Sequence, residues 1–269
     1  MKRPKSDYAI QTVSNALSLL HAFHCEEELG VTELSRRLGL HKNNVFRLLA
    51  TLEQSGYVEQ APTSDSYRLS FACLELGHSF VRSRSLLREA QPLLEELSSD
   101  VQETAHLGVL SEYEVVHLAG SQPDELLSAG LRVGRRVPAH CTALGKVLVG
   151  CGCEAVRGSY ERQVSGQGTL GARTPATIVD SLKLHEHLRE VASQGFAIDL
   201  EECGVGVCCA AAPVYDGTGR LVAAVSVSGP AVRLGQEQLL RHVVPKLMAC
   251  AERLSARLGA AVASGSSIA

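Results

Sequence analysis

The feature that most constrains the fold is Gly39, which separates two segments whose apolar residues recur at helical spacing. Before it, Leu34 and Leu38 lie one turn apart behind Thr32, a favourable helix N-cap. After it comes a second apolar stripe, made of Val45, Leu48, Leu49 and Leu52. Glycine readily takes the positive φ that ends a helix. We therefore predict two helices joined by a tight turn, the second running from near His41 to Gln54.

The flanking segments extend this pair into a small domain. Upstream, Ile10, Val13, Leu17 and Leu20 predict a further helix, with Ser6 or Asp7 as its N-cap. Downstream, YVEQ (57–60) and YRLS (67–70) predict two strands around the turn APTSDS. The order of helix, helix, tight turn, helix and two-stranded ribbon predicts a winged helix-turn-helix domain.

The outward face of the third helix has the chemistry of a nucleic-acid contact. Residues 35–52 contain four bases and no acid, although the whole chain is slightly acidic, with 26 Lys and Arg against 29 Asp and Glu. Lysine and arginine bind phosphates or guanine, and asparagine binds adenine. Most polar helix faces are only solvated, but the missing acids and the surrounding fold favour DNA binding. The residues predicted to contact DNA are Ser35, Arg36, Arg37, His41, Lys42, Asn43, Asn44, Phe46, Arg47 and, in the wing with Thr63, Ser64 and Ser66, Arg68.

The remainder of the chain predicts a second domain of mixed α+β class. TAHLGVL (104–110) and YEVVHLA (113–119) predict a hairpin, and LLSAGLRVG (126–134) predicts another strand. Residues 179–194 predict a helix with Thr177 as its cap. The strands FAIDL, VCCAAAPVY and LVAAVSVSG follow, and then a closing helix. We expect an antiparallel sheet with helices packed on one side.

Three stretches resemble the IclR-type bacterial transcriptional regulators. They are residues 31–60, HCTALGKVLV (140–149) and residues 195–230, and the similarity extends from about residue 8 to 258. The resemblance implies a winged helix-turn-helix followed by a GAF-like domain with a small-molecule cavity. The third helix departs from the family pattern, which has a Pro-Lys-Ser-Thr-like start. Here His41-Lys42-Asn43-Asn44 and Phe46 take that place, so the operator sequence cannot be transferred from relatives.

Candidate effector contacts lie in the second domain. Ser226 and Ser228 alternate with valines, so both hydroxyls lie on one face of a strand, where they face either a ligand or solvent. Asp199 ends another strand, and the helix starting in TALGKVL offers free N–H groups to an anion. The family resemblance implies effector contacts from Ala143, Leu144, Asp199, Val207, Cys209, Ser226 and Ser228.

The nine cysteines invite other interpretations. Their odd number and the lack of a signal-peptide pattern indicate a reduced, cytoplasmic protein. Cys208 and Cys209 are adjacent on a strand and cannot share one metal ion, whereas a set formed by His140, Cys141 and Cys203 stays open as a metal site. A thiol enzyme using His140 and Cys141, a redox sensor and a ligand-free architectural DNA binder are the competing functions.

The sequence as a whole therefore predicts a transcriptional regulator and not an enzyme. We expect a winged helix-turn-helix domain at 8–72, a linker helix at 73–90, a GAF-like domain at 91–258 and a disordered tail at 259–269. The expected partners are double-stranded operator DNA, a carboxylate or aromatic-acid effector, and further copies of the chain as a homodimer or dimer of dimers. No cofactor, catalytic residue, metal ligand or membrane segment is predicted.

Overall fold

The chain divides into two units between residues 83 and 84. The computed structural model describes residues 9–62, 64–83, 85–125, 128–166 and 170–260. Most of the predicted tail and the candidate cap residues Ser6 and Asp7 therefore lie outside the described residues. The predicted limits of the domains and of the linker helix stay predictions.

The N-terminal unit has the predicted order of elements. Its helices are α1 (Gln11–Ala22), α2 (Val31–Leu38), α3 (Lys42–Gln54) and α4 (Phe71–Ser83), with a short 3₁₀ turn at Phe23–Cys25. Strands β1 (Val58–Gln60) and β2 (Tyr67–Leu69) pair antiparallel. Gly39 ends α2 with φ 64°, which confirms the predicted turn.

The core of this unit forms where α3 packs on α1 and α2. Val45, Leu48, Leu49 and Leu52 are buried as predicted, together with Leu19, Phe23 and Leu34. This burial turns the opposite side of α3 outward. The inward stripe of α3 therefore determines which polar side chains can reach a partner.

Two predicted helix starts in this unit are wrong. Ile10 occupies the N-cap position of α1, and Gly30, not Thr32, occupies that of α2; neither makes a side-chain capping bond. The predicted stripe on α1 also differs from an ordinary core stripe, because Ile10, Val13 and Leu17 are each more than half exposed. Leu19 supplies the buried contact of α1 instead.

The C-terminal unit is built on one six-stranded antiparallel sheet. Its strands are β3 (Thr104–Ser111), β4 (Glu114–Ser121), β5 (Arg136–Pro138), β6 (Ala197–Leu200), β7 (Val207–Tyr215) and β8 (Leu221–Pro230). Their order across the sheet is β5-β4-β3-β8-β7-β6. Its helices are α5 (Ser85–Val101), α6 (Ala143–Gly150), α7 (Glu154–Gly166), α8 (Ser181–Gln194), α9 (Gln236–Gln238) and α10 (Val244–Arg257), with a π-helical turn at Leu239–Val243.

Helices cover both faces of this sheet, so the prediction of one-sided packing is wrong. One apolar cluster joins α5 and α10 to side chains such as Cys208 and Val227. A second joins α6 and α8 to Cys209 and Ala211 on the other face. Adjacent Cys208 and Cys209 thus point to opposite faces, as predicted. Central strands buried on both faces are apolar at nearly every position, which removes the alternation that marks a one-sided sheet.

Three further local predictions are corrected. Described residues 128–134 form a loop and not a strand, with Gly134 at φ 80°. Helix α8 is capped by Asp180, which accepts the Lys183 N–H at 2.9 Å, so Thr177 is not the cap. The α7 helix was not predicted, since its apolar positions are few.

None of the helices within the described ranges combines the length and the apolar composition that crossing a bilayer demands.

Candidate functional site

The exposed face of α3 presents most of the residues predicted to contact DNA. Phe46 is 56% exposed although it is aromatic and apolar. His41 caps the helix, because its Nδ1 accepts the Asn43 N–H at 3.4 Å. The exposed set is His41, Lys42, Asn43, Asn44, Phe46 and Arg47. These side chains crowd the N-terminal half of α3, the part that a recognition helix inserts into the major groove.

The two arginines of α2 are not free cations. Arg36 and Arg37 both bind the Glu33 carboxylate, at 2.7 Å and 2.6 Å, and Arg37 also binds Glu26 at 3.0 Å. The hydrogen bonds from Arg36 and Arg37 lower the pKa of Glu33 to about 2. An acid just outside the acid-free segment therefore offsets part of its charge, which a count over residues 35–52 could not reveal.

Other predicted DNA contacts also have partners within the unit. The Ser35 hydroxyl donates to the Leu40 carbonyl at 2.6 Å and so stabilises the turn. Arg68 binds Glu59 across the β1–β2 ribbon at 2.6 Å. Thr63 lies outside the described residues. Within the part of the chain that the structure describes, Lys42 and Arg47 form no ion pair.

The second candidate site is the face of the sheet that α6 covers. The strand register aligns Asp199 with Cys209, Cys209 with Ser228, and Ser228 with Thr104. Two residues before Ser228 in β8, on the same face of the sheet, Ser226 is aligned with His106 of β3. Ser226 and Ser228 are 2% and 8% exposed, so the solvent-facing alternative for these two residues is excluded.

Helix α6 crosses this face closely. Thr142 caps it by accepting the Gly145 N–H at 3.2 Å, and Ala143 and Leu144 in its first turn are buried. A methyl group on Gly108 of β3 would lie 3.0 Å from Leu144, which shows how near the helix comes to the strand. The half-buried Val207 packs in the same apolar cluster. The predicted effector contacts thus come together on one side of the sheet.

A buried ion pair lies beside this polar row. The Lys146 ammonium of α6 binds the Glu202 carboxylate and also donates to the Ile198 carbonyl at 3.3 Å. Lys146 is fully buried, and the Glu202 side chain is 10% exposed. This pair was not predicted, because a lysine in an apolar helix gives no sign of a partner carboxylate far along the chain.

Asp199 is the most perturbed acid of the site. Its Oδ1 accepts the Glu202 N–H at 2.7 Å, whereas Oδ2 is buried and has no hydrogen-bond partner among the described residues. Burial raises the pKa of Asp199 to about 7. Near neutral pH the carboxyl is therefore protonated about half of the time and can donate a hydrogen bond as well as accept one.

Two histidines and an arginine also belong to the surroundings of this face. His106 and His117 form an edge-on ring pair at 5.0 Å, and His106 Nε2 accepts the Arg132 N–H at 3.3 Å. Burial lowers the pKa of His106 to about 3, so the ring is neutral. The alternation of β3 could have revealed it, since His106 occupies an inward position of an otherwise apolar strand.

The alternative chemistries of the cysteines find little support. Among the described residues, no group of three or more His, Cys, Asp or Glu side chains could hold a metal ion. His140 Nε2 lies 3.0 Å from the Gly171 carbonyl. The pKa of the Cys141 thiol is raised far above its ordinary value, first by its hydrogen bond with Cys203 and then by burial. Such a thiol is a poor nucleophile.

Two further histidines, His185 and His187, lie on α8. Both are half-buried, and their Nε2 atoms are buried without a hydrogen-bond partner in the described part of the chain. Leu184 and Leu188 pack in the same apolar cluster as α6, so the side of α8 that bears the two histidines is partly enclosed.

Comparison with known proteins identifies both units. The IclR helix-turn-helix domain model matches residues 12–62, and the bacterial transcriptional regulator IclR C-terminal model matches residues 78–256. The HTH-type transcriptional regulator KdgR of Escherichia coli (strain K12) is 35% identical over 96% of this chain and 95% of its own length.

Solved structures agree with this assignment. A transcriptional regulator from Rhodococcus sp. RHA1 matches with a TM-score of 0.80 at 28% identity, over 93% of this chain and 98% of that one. The inducer-binding domain of the PobR transcription factor from Acinetobacter, a double mutant in complex with 3-hydroxybenzoic acid, matches with a TM-score of 0.56 at 31% identity, over 62% of this chain and 96% of that one. Because the two family models together match both units, the chain belongs to the IclR family of DNA-binding transcriptional regulators with a C-terminal ligand-binding domain.

Proposed function

We propose that the outer face of α3 binds operator DNA and that a small organic acid binds between α6 and the sheet and changes operator affinity. The buried polar row of Asp199, Cys209 and Ser228 carries the effector part of this proposal. Polar groups buried against an apolar helix are costly unless they are paired, and a ligand with acidic and hydroxyl oxygens pairs them.

For DNA, the strongest assignments are the cations that form no ion pair among the described residues. Lys42 and Arg47 are available to phosphates or guanine, and Asn43 and Asn44 to adenine. Three other arginines would first have to leave their carboxylate partners before they could bind a phosphate of DNA. We therefore assign a secondary role to Arg36, Arg37 and Arg68.

For the effector, an aromatic or aliphatic carboxylate suits the donors of the site. Protonated Asp199 and the two serine hydroxyls donate hydrogen bonds, and the first-turn N–H groups of α6 at Ala143 and Leu144 add a partial positive charge. The surrounding apolar cluster accepts a ring or short chain. The 3-hydroxybenzoic acid bound by the PobR domain is a ligand of this class and is therefore a suitable first probe.

We also propose that the regulator acts as a two-fold dimer. The exposed apolar stripe of Ile10, Val13 and Leu17 on α1 supports this, because a contiguous apolar face on a small domain usually has a partner. Two recognition helices then read two half-sites. The effector changes operator affinity only if it binds one arrangement of the dimer better than another.

The serine hydroxyls provide the direct test of the effector site. In Ser226→Ala/Ser228→Ala, we expect calorimetry with 3-hydroxybenzoate and related monocarboxylates to show an affinity loss of about tenfold or more, because hydrogen bonds to a charged group are each worth about 1.5–3 kcal/mol. Ser111→Ala, at the far end of β3, is the matched control. Equal affinities in the double variant and the wild type would refute the placement of the site.

The titration of Asp199 predicts a pH dependence. A carboxylate probe binds the protonated acid, so its affinity falls as pH rises through about 7, by up to about tenfold per pH unit above that value. In Asp199→Asn, the amide group donates a hydrogen bond at every pH. The variant should therefore lose the part of the affinity change between pH 6 and about 8.5 that comes from Asp199. If the two proteins give the same pH profile by calorimetry, Asp199 does not touch the ligand carboxylate.

A further inference from the structure

His106 carries a buried hydrogen-bonding atom that none of the proposed effector contacts uses. The residue is 1% exposed, and its Nδ1 is buried without a hydrogen-bond partner among the described residues. Buried polar atoms in folded proteins almost always have a partner, so each one that lacks a partner needs an explanation. One explanation is that the partner comes from a bound molecule.

The strand register places this ring on the face of the sheet that α6 covers. His106 is aligned with Ser226 of β8, and Thr104, two residues earlier in β3, is aligned with Ser228. Alternate residues of a strand lie on the same face, and so do residues aligned across neighbouring strands. His106 therefore shares its face with the two serines of the proposed effector site.

The orientation of the ring turns Nδ1 toward β8. On the other side of β3, His106 is aligned with Gly120 of β4. A methyl group on Gly120 would lie 3.2 Å from His106 Cδ2, so this edge of the ring faces β4. Cδ2 and Nδ1 are bonded to the same ring carbon and lie on opposite sides of it. Nδ1 is therefore on the side of β8, where Ser226 lies.

The hydrogen bond at the other ring nitrogen fixes the position of the proton. Nε2 accepts the Arg132 N–H at 3.3 Å, so Nε2 carries no proton. Burial lowers the pKa of His106 to about 3, so the ring is neutral and its one N–H proton is on Nδ1. The atom without a partner is therefore a donor, and it requires an acceptor.

We propose that His106 is a specificity residue of the effector site, and that its Nδ1–H donates to a second oxygen of the effector, separate from the carboxylate. The carboxylate is expected beside Asp199 and Ser228, which lie in one aligned row. Ser226 and His106 form the next row on the same face, two residues away. Two residues of a strand span on the order of 7 Å, which sets the separation of the two polar ends of the ligand.

This spacing narrows the effector class. The ligand is an acid with a hydroxyl or carbonyl oxygen several atoms away from its carboxylate, and a hydroxybenzoate is the simplest aromatic example. The inference rests on the proposed function, because it assumes that a carboxylate binds beside Asp199. It adds which second group the effector carries and which residue recognises that group.

The test compares ligands that differ only in this oxygen. Binding of benzoate, 3-hydroxybenzoate and 4-hydroxybenzoate to the full chain is measured by calorimetry. We expect the wild type to bind at least one hydroxybenzoate about tenfold more tightly than benzoate, because only the hydroxyl satisfies the buried donor. His106→Phe keeps an aromatic ring and removes the donor, so it should bind the three acids with similar affinities.

His106→Asn separates the hydrogen bond from the packing of the ring. The amide nitrogen of asparagine can take the place of Nδ1 and donate, so this variant should keep a preference for the hydroxybenzoate that His106→Phe loses. Thermal melting of both variants shows whether they fold.

Nuclear magnetic resonance of the wild type tests the proton position without any ligand. Histidines are labelled with nitrogen-15, and the ring signal that is absent from His106→Phe identifies His106. We expect a neutral ring protonated at Nδ1 near neutral pH, and a change of this N–H signal when the hydroxybenzoate binds.

Three results would overturn the inference. They are equal wild-type affinities for the three acids, a hydroxybenzoate preference that persists unchanged in His106→Phe, and a His106 ring protonated at Nε2. In each case the proposed effector site stands if Ser226→Ala/Ser228→Ala still weakens benzoate binding. If the wild type binds none of the three acids, the proposed aromatic-acid effector fails and this inference fails with it.

Discussion

Replacing Lys42 and Arg47 together by alanine is expected to weaken operator binding by on the order of tenfold or more, since a single good side-chain contact to a base is worth about 1–3 kcal/mol. Both side chains are exposed on α3, and neither forms an ion pair among the described residues. They therefore need no rearrangement before they meet DNA. Salt dependence should flatten as well, because each lost phosphate contact removes about 0.9 from the slope of log affinity against log salt.

The measurement is a salt titration of operator binding by fluorescence anisotropy. Lys183→Ala/Arg220→Ala removes the same charge from exposed positions of the C-terminal unit and should leave both affinity and slope unchanged. If this control variant and the Lys42→Ala/Arg47→Ala variant lose operator affinity equally, the loss comes from the lower net charge. The assignment of α3 as the DNA-binding helix then fails. Substituting Arg36 is a poorer control, because it would release Glu33 beside the same surface.

The N-terminal fold could be predicted because its elements are local. Apolar spacing gave α3 to within one residue of its limits, and Gly39 marked the turn through its own backbone preference. The helix starts were harder, since Gly30 and Ile10 hold the cap positions without any side-chain bond that a polar residue would have signalled. Patterns of single residues locate elements better than they locate their ends.

The charge of the proposed DNA-binding surface could be predicted only in part. Counting bases in residues 35–52 identified a cationic helix, but Glu33 and Glu59 neutralise Arg36, Arg37 and Arg68 through contacts that depend on rotamers and strand register. Lys42 and Arg47 were identified correctly as exposed because the helical period alone places them opposite the core. Which of these cations touches DNA stays a prediction.

In the C-terminal unit, period-2 alternation placed Ser226 and Ser228 on one face, and the structure confirms that placement. The alternation alone did not predict which face of the sheet is covered by helices. The apolar strands β7 and β8 are buried on both sides, so their composition looks the same from either face. The loop at 128–134 has apolar residues at alternate positions, as a strand would, but Leu131 and Val133 are about half exposed. The loop contacts β3 through the hydrogen bond from the Arg132 N–H to His106 Nε2.

The ion pair between Lys146 and Glu202 could not be predicted from local sequence patterns, because its two residues are far apart in the chain. Breaking this pair is expected to cause the largest loss of stability. Lys146→Met keeps the apolar stem and removes the ammonium group. Glu202 would then be a carboxylate in a nearly closed site, with its Oε2 already lacking a hydrogen-bond partner among the described residues. Breaking one partner of a buried ion pair costs about 3–5 kcal/mol. We expect a loss of this size in the free energy of unfolding of the C-terminal unit, measured by urea denaturation of the full chain followed by circular dichroism.

An exposed ion pair in the same unit supplies the matched control. Arg253 and Glu96 join α10 to α5 with side chains 51% and 47% exposed, and Arg253→Met should cost no more than about 1 kcal/mol. The double variant Lys146→Met/Glu202→Gln removes the uncompensated charge and should recover much of the stability lost by Lys146→Met alone. Equal losses for Lys146→Met and Arg253→Met would show that water reaches Glu202. The polar row beside it would then be a solvated cleft, and water rather than a ligand would satisfy its hydrogen-bonding groups.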